Sequence, residues 1–160
     1  MQNNYIRELK KTANQVRKNI ITAVYYAKAG HPGGSLSAAE IITYLYMKEM
    51  NVDPANPDDP DRDRFVLSKG HTCPGLYGVM AEKGYFDREE LKTFRHVGTR
   101  LQGHPSMRLL PGIDMSTGSL GQGISCAVGM AVAGKVQKRD FRVYTLLEDG
   151  ETKIDRKSVV

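Results

Sequence analysis

The chain has 160 residues, 40% of them hydrophobic and 26% charged, with a formal net charge of +5. That is the profile of a soluble globular chain long enough for one cored domain. No apolar run approaches the roughly 20 residues of a membrane helix, and the N-terminus lacks the compact apolar stretch of a secretory signal and the serines of a transit peptide.

Ile6, Leu9, Ala13, Val16, Ile20 and Ala23 recur at helical spacing. Residues 3–29 are therefore expected to form one long amphipathic helix, ended by Gly30 and Pro32. Within residues 1–28, Arg7, Lys10, Lys11, Arg17, Lys18 and Lys28 stand against Glu8 alone. A basic face can attract nucleic acid, a membrane surface or anionic metabolites. This one interleaves with an apolar stripe and carries no aromatic stacking pattern, so a solvated or partner-facing surface is expected, with neither nucleic acid nor membrane as partner. The text GHPGGSLS, residues 30–37, reads as a loop. Ser37 precedes Glu40 at capping-box spacing and should open a second helix over Ala38–Met50.

Residues 53–64 are rich in Pro and Asp and read as a surface loop. Phe65-Val66-Leu67 is expected to be a buried strand, followed by the loop SKGH. Helices are expected over 73–83 and 87–97, then a loop-rich stretch over 98–120, a small-residue helix from Gly121 to Val136, and a strand from Phe141 to Leu147. Cys73 and Cys126 lie far apart with no CxxC or zinc spacing, which points to small buried residues in a reducing, cytoplasmic setting. Strands separated by helices predict an α/β fold with a parallel sheet flanked by helices. Ligands gather at the carboxyl ends of the strands in such sheets, which selects Ser68–His71, the loop ending at Gly118–Gly123, and the pair Asp149-Gly150.

Three patterns carry candidate chemistry. In STGSLGQGIS, residues 116–125, glycines lead straight into a helix. Such a turn lets backbone N–H groups approach a diphosphate, although G-x-x-G-x-G is not the dinucleotide spacing, and tight helix packing explains the glycines equally well. In LLEDGE, residues 146–151, a carboxylate just past an apolar strand suits a hard cation; a plain Asp-Gly turn is the competing explanation. His31, His71 and His104 each follow a glycine in a loop. Their shared context points to one polar site able to move protons near neutral pH, while His96 falls in an expected helix.

Taken together, GHPGGSLSAAEI (30–41), DRDRFVLSKGHTCPGLYGVMAEKGYF (61–86), LQGHPSMRLLPGIDMSTGSLGQGISCAVGMAVAGK (101–135) and VYTLLEDGE (143–151) resemble the transketolase family, in its thiamine-diphosphate-binding N-terminal half. The blocks agree in order and spacing. The resemblance implies that His31 and His104 contact the sugar substrate and the carbon-bound intermediate. It places His71 near the cofactor diphosphate, Gly118 and Gly150 on the diphosphate, and Leu120 against the aminopyrimidine. Asp149 becomes the ligand of Mg2+ (or Ca2+ or Mn2+). The implied reaction transfers a two-carbon ketol unit from a ketose phosphate to an aldose phosphate. The implied partner is a pyrimidine-binding C-terminal half, with the site at the interface of a homo- or hetero-oligomer.

Two features depart from the family text. Glu148 stands where the GDG motif has its first glycine, putting a second carboxylate beside the expected diphosphate. From Thr152 onward the text TKIDRKSVV no longer matches, so residues 1–151 are expected to form a partial diphosphate-binding domain and 152–160 an unmatched tail. The alternatives are another thiamine-diphosphate enzyme of the deoxyxylulose-phosphate synthase type, or a non-catalytic scaffold that kept the fold.

Overall fold

A computed structural model describes residues 2–153, so most of the tail expected from residue 152 lies outside the described residues. Helix α1 spans Gln2–Ala27. Ala13, Val16, Ile20 and Ala23 are buried along one stripe, whereas Ile6 at the head of that stripe is 46% exposed. The stripe is covered only where α1 lies on its neighbours, chiefly α4 (Cys73–Lys83), the segment Arg88–Thr93 and α3 (Ala39–Tyr44). The chain leaves α1 through positive φ angles at Lys28 and Gly30.

Helix α4 is the centre of the helical layer, with every residue from Cys73 to Met80 buried. A helix covered on all sides needs small faces where neighbours cross. A Cβ on Gly78 would lie 3.3 Å from Val16 O, and one on Gly75 would lie 3.3 Å from Ser35 O. The buried Asn19 amide of α1 donates to Gly78 O at 3.1 Å and to Glu82 Oε1 at 2.8 Å, so the polar atoms at this crossing are paired. Gly84, at φ 103°, ends α4 in the left-handed conformation.

The strands are β1 (Arg64–Leu67) and β2 (Val143–Leu146), paired in parallel from Arg64↔Val143 to Leu67↔Leu146. Phe65 and Leu67 join the helical core, while Val66 is buried outside that cluster, as strand alternation requires. Helix α5 (Gln122–Val136) packs on both strands. The parallel sheet therefore has helices on its faces, which is the expected class. Asp114 fixes the long 98–120 segment to the sheet. Its carboxylate accepts the Phe65 N–H at 2.7 Å and pairs with the buried Arg62 at 2.8 Å.

Four local expectations are corrected. GHPGGSLS is not all loop, because Pro32–Ser37 forms a short helix, α2. Proline suits the first helical position, where its missing N–H costs nothing. Ser37 does not cap the next helix; its hydroxyl donates to Gly34 O at 3.0 Å within α2. The helix expected over Ala38–Met50 is α3 followed by a wider π-helical turn at Leu45–Glu49, closed by Met50 N–H on Leu45 O at 2.8 Å. The helix expected over 87–97 is only a 3-10 segment, Arg88–Thr93, capped by the Asp87 carboxylate on the Glu89 N–H at 2.8 Å. It does not continue because Phe94 turns extended, at ψ 128°, and Arg95 then adopts φ 61°. No helix among the described residues is long and apolar enough to cross a membrane.

Candidate active site

The site is built where β1 and β2 end. Beyond Leu67 the chain runs Ser68-Lys69-Gly70-His71 and turns through a 3-10 segment, Gly70–Thr72, into α4. This turn lies hard against the glycine-rich loop. A Cβ on Gly70 would fall 2.7 Å from the Thr117 carbonyl group, so only glycine fits. The Thr117 hydroxyl donates to Leu67 O at 2.7 Å. Strand end and loop are thereby stitched together, with Gly70, the neighbour of His71, against Thr117, the neighbour of Gly118.

His31 stands at the head of α2. Its carbonyl accepts the Ser35 N–H at 3.3 Å and lies 2.9 Å from the Ser35 hydroxyl, which is also 3.2 Å from Thr72 O. That shared contact holds α2 against the His71 turn. The His31 and His71 rings meet edge to face, with centroids 4.9 Å apart. His104 completes the group: a Cβ on Gly118 would lie 3.1 Å from the His104 ring. Burial holds the His104 imidazole below the usual histidine range, helped by Arg95 and then by His71 and His31. His96 lies elsewhere, with Nε2 3.4 Å from Tyr26 O.

This environment has a consequence for titration. The His104 NMR titration midpoint is expected below the ordinary histidine value of about 6.5. The unfolded chain takes up that proton at higher pH, so acidification through this range favours unfolding. A midpoint at or above the ordinary value would contradict it.

The second part of the site is organised by a residue with no visible signal in the sequence. Glu151 is only 3% exposed. Its Oε1 accepts the Ser68 hydroxyl at 2.6 Å and the Gly121 N–H at 2.6 Å, and its Oε2 accepts the Glu148 N–H at 3.1 Å. Burial pushes its carboxyl pKa up, but the hydrogen bonds from Ser68, Gly121 and Glu148, together with His71, outweigh this and leave it lowered. One carboxylate thus joins the end of β1, the start of α5 and the turn after β2. The amide of Gly121, which sits at φ 73° before α5, is therefore taken internally rather than presented to a ligand.

The remaining candidates lie at the open side. Leu120 is partly exposed. Gly150 has open space where a side chain would be. Glu148 turns inward, with Oε2 3.4 Å from His71 Nε2. The Asp149 side chain is 89% exposed and pairs with Lys153 at 3.7 Å. Among the described residues, no group of three His, Cys, Asp or Glu side chains is placed to hold a metal ion. A hard divalent cation takes about six or more oxygen ligands, so these residues do not by themselves form a metal site.

The fold, a parallel sheet with helices on its faces, is that of a thiamine-diphosphate-binding domain. The family model described as transketolase, thiamine diphosphate binding domain, matches residues 8–155, and the chain belongs to that family. It is similar to the 6-deoxy-6-sulfo-D-fructose transketolase subunit SqwG of Clostridium sp. (strain MSTE9), with 48% identity over 91% of this chain and 53% of the relative. It is similar to an apulose-4-phosphate transketolase subunit from Phocaeicola vulgatus, with 44% identity over 91% of this chain and 52% of the relative. Human transketolase is 46% identical over 91% of this chain but 23% of its own length. The chain thus spans about half the length of the two subunit relatives. Among solved structures it resembles the transketolase from Leishmania mexicana, with a TM-score of 0.85 and 35% identity over 91% of this chain and 23% of that one.

Proposed function

We propose that this chain contributes the diphosphate-binding half of a transketolase-type transferase, which moves a two-carbon ketol unit from a ketose phosphate to an aldose phosphate. The observation that carries this reading is the convergence of His31, His71 and His104 near the strand ends, with the His104 ring against the Gly118 backbone. Thiamine diphosphate, when bound, supplies the carbanion centre for ketol transfer. The chain's own residues do the positioning. His104, held neutral by burial and Arg95, accepts or shares a proton at a substrate hydroxyl. His31 and His71 orient further polar groups of the sugar and cofactor, and Gly118 and Gly150 leave backbone exposed to the diphosphate. Leu120 offers an apolar contact to the pyrimidine ring. Mg2+ (or Ca2+ or Mn2+) is proposed to enter with the diphosphate and to touch this chain at Asp149. The described residues alone do not supply the metal's other ligands.

The names of two relatives call them subunits, which supports a separate pyrimidine-binding partner and an oligomer with its site at the interface. Sugar phosphates are the proposed substrates and the cytoplasm the proposed location. Calorimetry with thiamine diphosphate and Mg2+, with and without a pyrimidine-binding half, tests the reading. Cofactor binding and ketol transfer are expected with the partner, and no transfer by the chain alone. Condensation of pyruvate with glyceraldehyde phosphate would instead identify a deoxyxylulose-phosphate synthase type. No binding under either condition would leave the scaffold reading.

A further inference from the structure

We propose that Glu148 is a built-in competitor for anions at the imidazole cluster: its carboxylate holds the edge of His71 that a ligand's anionic oxygen would otherwise take, and so sets the selectivity of the site. The inference rests on the reading above only for the identity of the anion.

Three observations carry it. The Glu148 carboxylate oxygen lies 3.4 Å from His71 Nε2, so the side chain turns into the site although solvent is open to it. Its backbone is held in that place. The Glu148 N–H donates to the buried Glu151 carboxylate at 3.1 Å, and the Glu148 carbonyl accepts the Glu151 N–H at 3.1 Å. Glu151 is in turn fixed by Ser68 and Gly121. The turn that carries the carboxylate is therefore held by hydrogen bonds to the Glu148 backbone on both sides. Finally, His71 packs on His31, and both face His104 electrostatically. The negative charge of Glu148 beside His71 is therefore felt by anything bound among the three rings.

An anion entering beside His71 must displace this carboxylate or share the site with it at a few ångströms, where like charges repel strongly in a half-buried setting. A ligand that presents hydroxyl groups there gains an acceptor instead. The residue thus weakens anionic oxygens and favours neutral, hydroxyl-bearing groups at one position of the cluster.

The test uses the full chain and inorganic pyrophosphate in metal-free buffer, followed by calorimetry. Glu148→Ala keeps the backbone bonds to Glu151 and is expected to bind pyrophosphate about tenfold or more tightly than the wild type. Glu148→Gln, which removes the charge but not the bulk, is expected to fall between them. Glu8→Gln, on the exposed face of α1 and paired with Lys11, controls for net charge and is expected to match the wild type. The His71 ring signals should shift in Glu148→Ala while those of His96 stay in place. Equal affinity of wild type and Glu148→Ala would overturn the inference and leave the cofactor reading standing. An equal gain in Glu8→Gln would also overturn it. Binding by none of the variants would overturn the inference, while the cofactor reading is decided separately by the calorimetry with Mg2+ and the pyrimidine-binding half.

Discussion

Glu151→Ala is expected to lower the stability of the fold by about 3–4 kcal/mol, because it leaves buried donors without acceptors. The Ser68 hydroxyl and Gly121 N–H both lose a partner at 2.6 Å, and the Glu148 N–H loses one at 3.1 Å. In a chain of this length that is roughly a 10 °C fall in melting temperature. Glu151→Gln keeps one acceptor oxygen for Ser68 and Gly121 but sets an amide N–H against the Glu148 N–H, so it should lie between Ala and wild type. The folded carboxyl pKa lies below the unfolded one. Its stabilisation is therefore complete above the unfolded value of about 4.5 and is lost as pH falls through the folded value. Melting curves in metal-free buffer between neutral pH and about pH 3 check both points. A Glu151→Ala variant that melts with the wild type would show that water replaces the carboxylate at no cost.

Gly123→Ala is the second substitution with a large expected effect. A Cβ there would fall 2.6 Å from Ser68 Oγ and 2.7 Å from Ser68 Cα. The obstacle is strand-end backbone, which cannot rotate aside. Helix α5 must lift away from β1, at a cost of about 3 kcal/mol. The intrinsic helix preference of alanine over glycine, about 1 kcal/mol in the other direction, does not offset this. Gly129→Ala, on the same helix with open space at its Cβ, should instead be neutral or stabilising. Paired thermal melts separate the two, and similar behaviour of both variants would refute the packing argument.

These two residues also mark the limit of what was legible in the sequence. Helix α1, both strands and α5 follow from periodicity and composition, although only α1 and β1 bury a stripe or a face; β2 has no fully buried residue and α5 buries only Gly123, Ala127 and Gly134. The exposed Ile6 shows where that rule stops, since periodicity records amphipathicity and not whether a neighbour is present. Helix α2 was hidden because Gly33 and Gly34 read as breakers, although a Cβ at Gly34 would strike Thr72 Cγ2 at 2.7 Å. The three glycine-flanked histidines could be suspected of sharing a site; only the fold brings His31 and His71 into ring contact. Glu151 was invisible for a simpler reason. In sequence it is one more acid in an acidic turn, and its meaning comes from Ser68 and Gly121, 83 and 30 residues away.

That separation governs the order of assembly. The α1 and α4 layer and the paired strands are held by broad apolar burial, which is gained gradually. The Glu151 contacts close long loops for a few directional bonds, and loop closure must be met before such bonds return anything. The turn beside the histidines is therefore expected to be completed after the core has collapsed, once β2 has aligned along β1 and carried residues 148–151 into place. A nascent chain can thus hold a formed helical layer while having no assembled site, and early docking of cofactor onto it would find only scattered imidazoles.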